Sequence, residues 1–513
     1  MLDCALTAAL PQRIHEACMP WVAKRPEGRA LEDAMHTICY GELPGLLSAV
    51  AAVLTGMGVR PGDRVLLVGE NSVALAVSVL ALSSLDAWSA TVNPRLSSRE
   101  INNFVSHSGA RRVLYFGATS TSAAAHGAAA NAAAVSFPTI GEVLVGPLAE
   151  SEPETVFESG AEQVAALVYT SGTTGAPKAV MLTHRNLAFI GANSRSLRRV
   201  VPEDVVYGVL PLSHVYGLSA LLIASLISGA CLRLVPLFTP DALAVALEKE
   251  GVTVLHGVPA MYARLLDWCR RNGKPLAVPT LRVAQSGGSP LTLPLKQAFE
   301  AASGLVLNNG YGMTEAAPSI CQTRMDAPRT DCSVGQGIPG IELKLNEPEG
   351  EAFVGELWVR GPNVMKGYFH APELSAQVLT PDGWLRTGDL ARIDEDGAVH
   401  IVGRAKELII RSGFNVYPVE VEQVLNAHPD VVQSAVVGRQ VDGNEEVIAF
   451  VEAVSGRTLD LDDLARHLRA NLSPYKVPAH IRVLEHLPAA ATGKILKTEL
   501  RHIAEGLGKA ASV

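Results

Sequence analysis

An alternation of short apolar runs with helical stretches constrains the fold of this chain more than any other feature of its sequence. Runs such as Arg64–Val68, Ala90–Val92 and Arg112–Phe116 are separated by helical patterns at 71–85 and 98–107. A second series comprises Val205–Leu210, Cys231–Pro236, Val252–His256, Arg282–Gln285 and Leu305–Asn308. Buried strands that alternate with helices form parallel sheets with helices on both faces. We therefore predict an α/β protein whose large N-terminal domain contains two doubly wound sheets.

The pattern changes twice towards the C-terminus. Between residues 335 and 403, short strands are punctuated by Gly, Pro and Asp-Gly turns, which predicts a small β-barrel or sandwich. The remaining residues contain helical patterns at Pro418–Ala427 and Asp462–Leu472, which predict a small α+β domain. We expect an N-terminal domain at 1–404 and a mobile C-terminal domain at 405–513. The Ala-rich stretch Ala118–Val135 is interpreted as a loosely packed connection.

Composition and charge exclude several classes of protein. The chain has 513 residues, of which 48% are hydrophobic and 18% are charged, a balance that excludes a disordered chain. Its formal net charge of −8 provides no general basic field, so we expect no nucleic-acid partner. The longest apolar run, Gly217–Leu232, is interrupted by serines and is shorter than the roughly 20 residues of a membrane helix, so we expect no integral membrane segment. Seven scattered cysteines without a C-x-x-C pair, and no signal-peptide pattern in Met1–Glu16, predict a cytoplasmic protein.

The most informative motif is the segment Tyr169–Lys178, which follows the apolar run Val164–Val168. It is rich in Gly, Ser and Thr and ends in a lysine, so backbone N–H groups, hydroxyls and one ammonium can converge on a polyphosphate. It is not a Walker A loop, because Pro177 occupies the position of the second glycine and Ala179 follows the lysine. A flexible surface turn, which small polar residues also form, is the alternative interpretation.

A second polar cluster follows the predicted strand Leu305–Asn308, at the strand end where open α/β sheets bind ligands. There Tyr311 offers a flat face for a base, and Thr314 and Glu315 offer oxygen ligands for a phosphate-bound Mg²⁺. The glycine turn Ser286–Pro290 also follows a strand and permits close approach of the backbone. Each of these segments, taken singly, is also typical of an ordinary strand-to-helix turn.

Three charged residues nearer the C-terminus complete the set of candidates. Asp389 can accept both hydroxyls of a ribose, and Arg404 can reach the ribose oxygens or a phosphate. A structural ion pair at a domain junction is equally consistent with the spacing of these two residues. Lys494 lies in a glycine-containing segment, where a lysine taken alone is usually a solvated surface charge.

Together these segments resemble the adenylate-forming enzymes, which comprise acyl- and aryl-CoA ligases, firefly luciferase and the adenylation domains of nonribosomal peptide synthetases. The resemblance extends from residue 30 to residue 503 and rests on Tyr169–Lys178, Tyr311–Glu315, Thr387–Asp389, Gly403–Glu407, Ser412–Pro418 and Thr492–Lys494. It implies a reaction in which a carboxylate attacks the α-phosphorus of ATP, giving an acyl-adenylate and pyrophosphate, after which a thiol displaces AMP.

The resemblance also implies roles for individual residues. The expected ATP-binding residues are Thr170, Ser171, Gly172, Thr173, Thr174, Gly175, Lys178, Gly288, Ser289, Asn309, Gly310, Tyr311, Gly312, Thr314, Asp389, Arg404 and Lys494. Thr173 and Glu315 would help to place Mg²⁺. The expected catalytic residues are Lys494, which would bridge the substrate carboxylate and the α-phosphate, Arg404 and His214.

The remaining implied roles concern the acyl pocket and the second half-reaction. His214 would border the acyl pocket, although a histidine that caps the following helix is an alternative interpretation. Lys406 would be the hinge about which the C-terminal domain swings. Ser412, Gly413 and Phe414 would then line a tunnel for coenzyme A. The expected pocket-lining residues are Tyr207, His214–Gly217, Gly257–Pro259, Ser286–Gly288 and Asn308–Gly310.

We therefore predict an ATP-dependent carboxylate–CoA ligase that uses ATP, Mg²⁺ and coenzyme A as a co-substrate. The small or apolar pocket candidates suit an uncharged fatty or aromatic acid and do not distinguish between the two. An adenylating enzyme that loads a separate carrier protein is the alternative function. The missing Walker spacing argues against a P-loop ATPase, and no residue pattern positively indicates a luciferase-like monooxygenase. We expect a monomer or a homodimer.

Overall fold

The computed structural model describes residues 10–170, 177–349, 353–411, 414–441, 444–454, 457, 459–489 and 495–506. Two large mixed sheets share one extensive core, a smaller antiparallel sheet follows them, and a C-terminal unit has a core of its own. This architecture confirms the α/β class with a large N-terminal and a smaller C-terminal domain. The boundary between residues 404 and 405 stays a prediction.

One large sheet has eight strands. Their order is Gly367–Tyr368, Lys178–Thr183, Val164–Thr170, Trp88–Val92, Arg64–Val68, Arg112–Tyr115, Gly141–Val145 and Ala133–Phe137. The four central strands are parallel, whereas the strands at both edges pair antiparallel. The edge strands differ from the predicted parallel pattern. Two of the antiparallel pairs, Val164–Thr170 with Lys178–Thr183 and Ala133–Phe137 with Gly141–Val145, are joined by short connections, whereas a parallel pair needs a long crossover.

The second large sheet has nine strands. Their order is Gln336–Gly337, Ser319–Gln322, Leu307–Gly312, Val283–Ser286, Val254–Gly257, Val205–Gly208, Cys231–Leu234, Arg29–Glu32 and Thr37–Cys39. The six strands from Leu307–Gly312 to Arg29–Glu32 are parallel, and the outer strands are antiparallel. All five strands of the second predicted series are therefore present in this sheet, with ends shifted by up to four residues.

The helices of the N-terminal domain connect these strands. They are Ile14–Cys18, Met19–Lys24, Leu43–Gly56, Val73–Ser84, Ser98–Ser108, Thr121–Ala129, His184–Arg198, Tyr216–Ile223, Ala224–Ser228, Pro240–Lys249, Pro259–Arg271, Leu293–Ser303, Thr314–Ala316 and Pro372–Val378. Val73–Ser84 begins where Ser72 Oγ accepts the Leu75 N–H, and it is buried on almost every side. Its apolar residues belong to the core that joins both large sheets, which explains why it lacks a polar face.

The interpretation of Ala118–Val135 as a loose connection is wrong. Residues Thr121–Ala129 form a helix that begins where Ser120 Oγ accepts the Ala123 N–H, and Ala133–Phe137 forms an edge strand. Alanine is the strongest helix former, so the composition itself favours a helix even though it shows no clear apolar face.

The short-strand region forms a four-stranded antiparallel sheet. Its order is Glu342–Glu349, Val354–Arg360, Leu385–Ile393 and Val399–Arg404, and the described residues show no pairing between its two end strands. The predicted barrel thus takes the form of an open sheet, which packs on a small core that includes Leu357, Leu385 and Val399. The sheet positions Asp389 and Arg404, because the register pairs these two residues directly.

The C-terminal unit combines two small sheets with three helices. Its strands are Ile409–Arg411 paired with Phe414–Val416, and Val431–Val441, Asn444–Ala453 and His480–Leu484 in a second sheet. Its helices are Pro418–Asn426, Leu461–Asn471 and Lys497–Gly506, preceded by the single turn Ala405–Glu407. The last helix packs against Val431–Val441, on the face that buries Leu500 and Ala504.

No helix in the described ranges is both long and apolar enough to cross a membrane. The described cysteines, from Cys18 onwards, are all present as thiols rather than disulfides. Four of these six cysteines, Cys18, Cys231, Cys269 and Cys321, are buried.

Candidate active site

A large cleft lies between the N-terminal domain and the C-terminal unit. Its volume is about 2640 Å³, well beyond what one small ligand requires. The segments that follow the parallel strands Val283–Ser286 and Leu307–Gly312 line it, as expected for an open α/β sheet. The cleft therefore lies at the strand ends where the polar motifs were predicted to meet.

The two ends of the predicted phosphate-binding segment face each other at the cleft. Thr170 ends one strand and Lys178 begins the next, and the antiparallel register pairs the two residues directly. Both line the cleft, and Lys178 Nζ lies 5.7 Å from the centre of the Tyr368 ring. The predicted residues Ser171, Gly172, Thr173, Thr174 and Gly175 lie outside the described residues.

Glu315 lies in the same part of the cleft and is held by a tyrosine. The Tyr368 hydroxyl donates to Glu315 Oε1 at 2.8 Å. Burial and the neighbouring Glu315 raise the pKa of Tyr368, so the phenol stays protonated and can donate. The Glu315 carbonyl accepts the Met365 N–H at 2.9 Å, which fixes the backbone of this residue.

The donor set suits a phosphate-bound Mg²⁺ better than a metal held by the protein alone. The described residues contain no group of three or more His, Cys, Asp or Glu side chains that could hold a metal ion. Mg²⁺ usually takes one or two carboxylates and completes its shell with phosphate oxygens and water. Glu315, whose carboxylate lines the cleft beside Lys178, fits that requirement.

Tyr311, Asp389 and Arg404 form a hydrogen-bonded chain across the cleft wall. The Tyr311 hydroxyl donates to Asp389 Oδ2 at 2.5 Å, and Arg404 Nε lies 2.9 Å from Asp389 Oδ1. Asp389 is only 3% exposed, and its own N–H donates to Thr387 Oγ1 at 3.1 Å. Asp389 raises the pKa of Arg404, and burial together with Asp389 raises the pKa of Tyr311. A neutral phenol and a guanidinium therefore share one carboxylate.

The glycine-rich turns place backbone rather than side chains at the cleft. Gly288 has a φ of +80°, a conformation that favours glycine. The predicted residues on these turns that line the cleft are Gly288, Ser289, Asn309, Gly310, Tyr311, Gly312 and Thr314. The Asn309 side chain has a structural role, because its Nδ2 donates to the carbonyls of Cys332 and Ser333.

His214 and Tyr216 line the side of the cleft expected to receive the acid. His214 Nδ1 accepts the Tyr216 N–H at 3.2 Å, so the neutral imidazole carries its proton on Nε2. This contact, next to the wide helical turn Tyr216–Ile223, agrees with the capping interpretation and leaves the ring at the cleft. The Tyr216 hydroxyl lies 3.3 Å from Nδ1 of the buried His256.

A buried guanidinium, that of Arg198, affects the protonation of His256. Arg198 is fully buried, and its Nη1 donates to the Thr323 carbonyl at 2.7 Å. Burial lowers the pKa of Arg198 to about 10, so the group stays charged at neutral pH. Burial and the charge of Arg198 lower the pKa of His256 to about 3. His256 is therefore neutral, and its contact with Tyr216 is a hydrogen bond between uncharged groups.

The acid side of the cleft differs from the expected pocket at several residues, because its lining does not include Tyr207, Val215, Gly217, Gly257, Ser286 or Asn308. Tyr207 was expected to line it, but Tyr207 is 1% exposed, belongs to the main core and does not line the cleft. The reason is its place inside the strand Val205–Gly208, whereas the cleft begins beyond the strand ends. A Cβ at Gly287 would lie 3.2 Å from Tyr216 Cε1, so the Tyr216 ring lies close against the Gly287 backbone.

The C-terminal unit presents its last helix to the cleft. Ile495, Lys497 and Arg501 line it, whereas Lys494 lies outside the described residues. Lys406 also lines the cleft, in the turn that connects the two domains. Ser412 and Gly413 lie outside the described residues as well.

Phe414 does not line the cleft. Its ring is 55% exposed and stacks on Tyr475, with 4.7 Å between the ring centres. The structure therefore brings the nucleotide-side candidates together and leaves the one described tunnel candidate outside the site.

Sequence reasoning missed two residues that hold the candidates in place. Tyr368 orients Glu315 from a two-residue strand, and Lys497 contacts Glu407 beside Lys406. Neither belongs to a glycine-rich or polar motif. Their partners are distant in the sequence, so only the folded chain identifies them.

Comparison with known proteins gives a consistent result. The family model described as AMP-binding enzyme matches residues 19–369, and the model of the AMP-binding enzyme C-terminal domain matches residues 420–494. A feruloyl-CoA synthase of Amycolatopsis sp is 35% identical over 94% of this chain and 98% of its own length. A 4-coumarate–CoA ligase of Oryza sativa subsp. japonica is 33% identical, over 97% and 95% respectively.

A solved structure is similar to this chain over nearly its whole length. The crystal structure of ATP-bound MatB from Rhodopseudomonas palustris superposes with a TM-score of 0.83 at 30% identity, over 96% of this chain and 99% of that chain. The apo form of the same protein gives a TM-score of 0.74 at 31% identity, over 97% and 99%.

Proposed function

The chain belongs to the AMP-binding enzyme family, and we propose that it joins a small aromatic carboxylic acid to the thiol of coenzyme A. The enzyme is an AMP-forming acid–thiol ligase that uses ATP, Mg²⁺ and coenzyme A. First, an acid oxygen attacks the α-phosphorus of ATP and pyrophosphate leaves. Then the thiol attacks the acyl carbonyl and AMP leaves. The observation that carries the proposal is the convergence of Lys178, Glu315, Tyr311, Asp389 and Arg404 in one cleft.

The nucleotide is assigned to the chain formed by Tyr311, Asp389 and Arg404. Asp389 accepts hydrogen bonds from Tyr311 and Arg404, and its carboxylate would accept the ribose hydroxyls when the nucleotide binds. The Tyr311 ring would lie against the adenine beside the Gly288 backbone. Thr314, 9% exposed at the cleft, would contact the α-phosphate.

Lys178 and Glu315 are assigned to the triphosphate end. Lys178 would neutralise phosphate charge at the rim of the Gly- and Thr-rich segment. Glu315, oriented by Tyr368, would supply a carboxylate for Mg²⁺. When bound there, the metal would reduce the charge that accumulates on the leaving pyrophosphate.

Lys494 is assigned to the transition state of the first half-reaction. An ammonium between the substrate carboxylate and the α-phosphate would offset the negative charge that accumulates there, an effect that can be worth several kcal/mol in a dry site. The neighbouring residues Ile495 to Thr498 line the cleft, which supports delivery of Lys494 by the C-terminal domain. The greater similarity to ATP-bound than to apo MatB also supports this arrangement.

The second half-reaction requires a different orientation of the C-terminal domain. Phe414 stacks on Tyr475 and lies outside the cleft, so it is not in place to line a thiol tunnel. A rotation about Lys406 would withdraw Lys494 and bring Ser412, Gly413 and Phe414 to the site. One domain would thus serve the two half-reactions in turn.

A small aromatic acid suits the acid side of the cleft. Tyr216 and the side-chain-free Gly287 line this side of the cleft next to each other, and Val258 adds an apolar wall. The relatives named feruloyl-CoA synthase and 4-coumarate–CoA ligase support a ring-bearing acid over a fatty acid. His214 lines the same side of the cleft and would lie between the acid and the nucleotide.

Two further assignments remain part of the proposal. We assign the enzyme to the cytoplasm, which the unpaired cysteines of the described residues support. We also propose that the enzyme is a monomer or a homodimer.

A panel of carboxylic acids tests the proposal. Each acid is scored for pyrophosphate exchange into ATP and, separately, for AMP release that depends on coenzyme A. We expect hydroxycinnamic or benzoic acids to exceed fatty acids of similar carbon number by at least tenfold in kcat/KM. Exchange without CoA-dependent AMP release would favour the carrier-loading alternative. If none of the acids supported pyrophosphate exchange, the proposed function would be wrong.

A further inference from the structure

A partly buried lysine connects the hinge segment to the C-terminal domain. Lys497 Nζ lies 3.0 Å from Glu407 Oε2 and 2.8 Å from Glu422 Oε1. Glu407 follows the predicted hinge residue Lys406 directly, and Glu422 lies on the helix Pro418–Asn426. We call this group of three side chains the Lys497 bridge. It joins segments that are up to 90 residues apart in the sequence.

The Lys497 bridge is a partly buried, fully charged arrangement. The side chains of Lys497, Glu407 and Glu422 are 18%, 25% and 11% exposed. Burial opposes the charge of Lys497, but the two carboxylates outweigh it and raise the pKa of the lysine. Glu407 also faces Arg404 and Arg501, and the pKa of Glu407 is lowered although burial opposes the shift. The ammonium therefore compensates two carboxylates that would otherwise repel each other.

Glu422 is itself fixed to the C-terminal sheet. Its Oε1 accepts the Val436 N–H at 2.7 Å, in a buried hydrogen bond. Lys497 is thus attached to a rigid strand on one side and to the hinge turn on the other. A partly buried contact of this kind holds the two segments together more firmly than a surface ion pair, which contributes little to stability.

Lys497 lies immediately after the base of the segment that contains Lys494. Ala489 and Ile495 form an isolated antiparallel bridge, and the Leu496 N–H donates to the Pro488 carbonyl at 2.8 Å. These contacts hold together the two ends between which Lys494 lies in the sequence. Lys497 adds a third contact, which connects this base to Glu407.

We propose that Lys497 is a positioning residue for the first half-reaction, because it fixes the base of the Lys494 segment relative to the hinge turn. The inference rests on the proposed function, in which Lys494 acts only during adenylation. Removal of the ammonium frees the base from Glu407, so Lys494 reaches the reacting atoms less often. A small misplacement of a catalytic group costs orders of magnitude in rate. The second half-reaction, which does not use Lys494, is unaffected.

The substitution Lys497→Met keeps the length of the side chain and removes its charge. We expect the kcat of pyrophosphate exchange to fall by at least tenfold, with the KM for ATP changed by less than threefold. The rate at which supplied acyl-adenylate is converted to thioester stays within twofold. Lys497→Arg restores exchange, because a guanidinium can contact both carboxylates. Glu407→Gln, which keeps the shape of its side chain, produces the same selective loss to a smaller extent.

Arg439→Met is the matched control. It removes the buried ion pair between Arg439 and Glu446 in the same domain, away from the cleft. We expect it to leave both half-reactions within twofold, and the melting temperature of each variant shows whether the domain is folded. An equal loss of both half-reactions in folded Lys497→Met, or no loss in either, would overturn the inference. Failure of the wild-type enzyme to activate any acid would instead overturn the proposed function and this inference with it.

Discussion

The Tyr311 hydroxyl donates to Asp389 Oδ2 at 2.5 Å, and this hydrogen bond joins the end of a parallel strand to a separate antiparallel sheet. Arg404 contacts the other oxygen of the same carboxylate. The pair therefore aligns the surface assigned to adenine with the group assigned to ribose before any nucleotide binds. Preorganisation of this kind lowers the entropy cost of binding.

We expect Tyr311→Phe to raise the KM for ATP about fivefold, equivalent to about 1 kcal/mol for one hydrogen bond. The loss arises because Asp389 keeps Arg404 but loses the hydrogen bond from the Tyr311 hydroxyl. Steady-state kinetics at saturating acid measure it. Tyr40→Phe removes a buried hydroxyl that donates to the carbonyls of Ser225 and Ala230, and it is expected to lower stability without changing this KM. Equal KM values for Tyr311→Phe and wild type would contradict the assignment.

We expect Glu315→Gln to raise the Mg²⁺ concentration needed for half-maximal adenylation by at least tenfold. An amide keeps the hydrogen bond from Tyr368 but loses the negative charge that a hard cation requires. Tyr368→Phe, the matched variant, removes only the orienting hydroxyl and should shift the requirement about threefold, consistent with loss of a single hydrogen bond. Titration of Mg²⁺ at fixed ATP measures both. An unchanged requirement in Glu315→Gln would remove the metal assignment.

We expect Lys494→Ala to lower pyrophosphate exchange by at least a thousandfold, because no other group is assigned to neutralise the charge at the α-phosphate. The same variant should still convert supplied acyl-adenylate to thioester at a rate within threefold of wild type. Lys249→Ala, at an exposed lysine outside the cleft, serves as control. If the folded Lys494→Ala variant lost both half-reactions, the role given to Lys494 would be wrong.

We expect Gly287→Ala to discriminate against bulky acids. The added Cβ would lie 3.2 Å from Tyr216 Cε1 and 3.3 Å from its hydroxyl, so it pushes the Tyr216 ring and changes the space left for the acid. The kcat/KM of a ring-substituted acid should fall at least tenfold more than that of an unsubstituted one, within the range that pocket contacts of this size give. Gly45→Ala, where nothing lies within 4 Å of the new Cβ, is the control. An equal loss of kcat/KM for all acids would argue against a place for Gly287 and Tyr216 in the acid pocket.

We expect the enzyme to lose stability in mild acid because of His184. Burial lowers the pKa of His184 to about 3, whereas the unfolded chain has the ordinary value of 6.5. The unfolded state therefore binds more protons between these values, so the free energy of unfolding falls as the pH falls below 6.5, by up to about 1.4 kcal/mol per pH unit. Denaturant titrations from pH 8 to pH 5 measure this slope.

His184→Gln should make that slope shallower, because glutamine does not titrate. The side chain accepts the Ile14 N–H at 3.2 Å, and the glutamine amide oxygen is able to accept the same bond. His486→Gln, at a side chain that is 78% exposed, should leave the slope unchanged. Identical slopes for wild type and His184→Gln would show that another group causes the acid sensitivity.

Local patterns in the sequence predicted the parts of the site that follow strands. Tyr311 lies at the end of the strand Leu307–Gly312 and Glu315 follows that strand, so their place at the cleft follows from one short segment. Tyr207 was misplaced because all four residues of its strand are buried, and burial alone does not distinguish a core position from a pocket wall.

Contacts between distant segments could not be predicted in this way. Tyr368 meets Glu315 across 53 residues, and Lys497 meets Glu407 across 90. Both contacts depend on how separate sheets and domains pack. The antiparallel sheet edges were also missed, because apolar runs indicate burial but not strand direction.

The direct pairing of Thr170 with Lys178 makes the number of residues between them as important as their identity. Side chains alternate between the two faces of a strand, so a one-residue insertion or deletion that shifted this register would turn Lys178 to the opposite face. A variant that lengthens or shortens the segment should therefore lose ATP binding even when every residue assigned to the phosphates is kept.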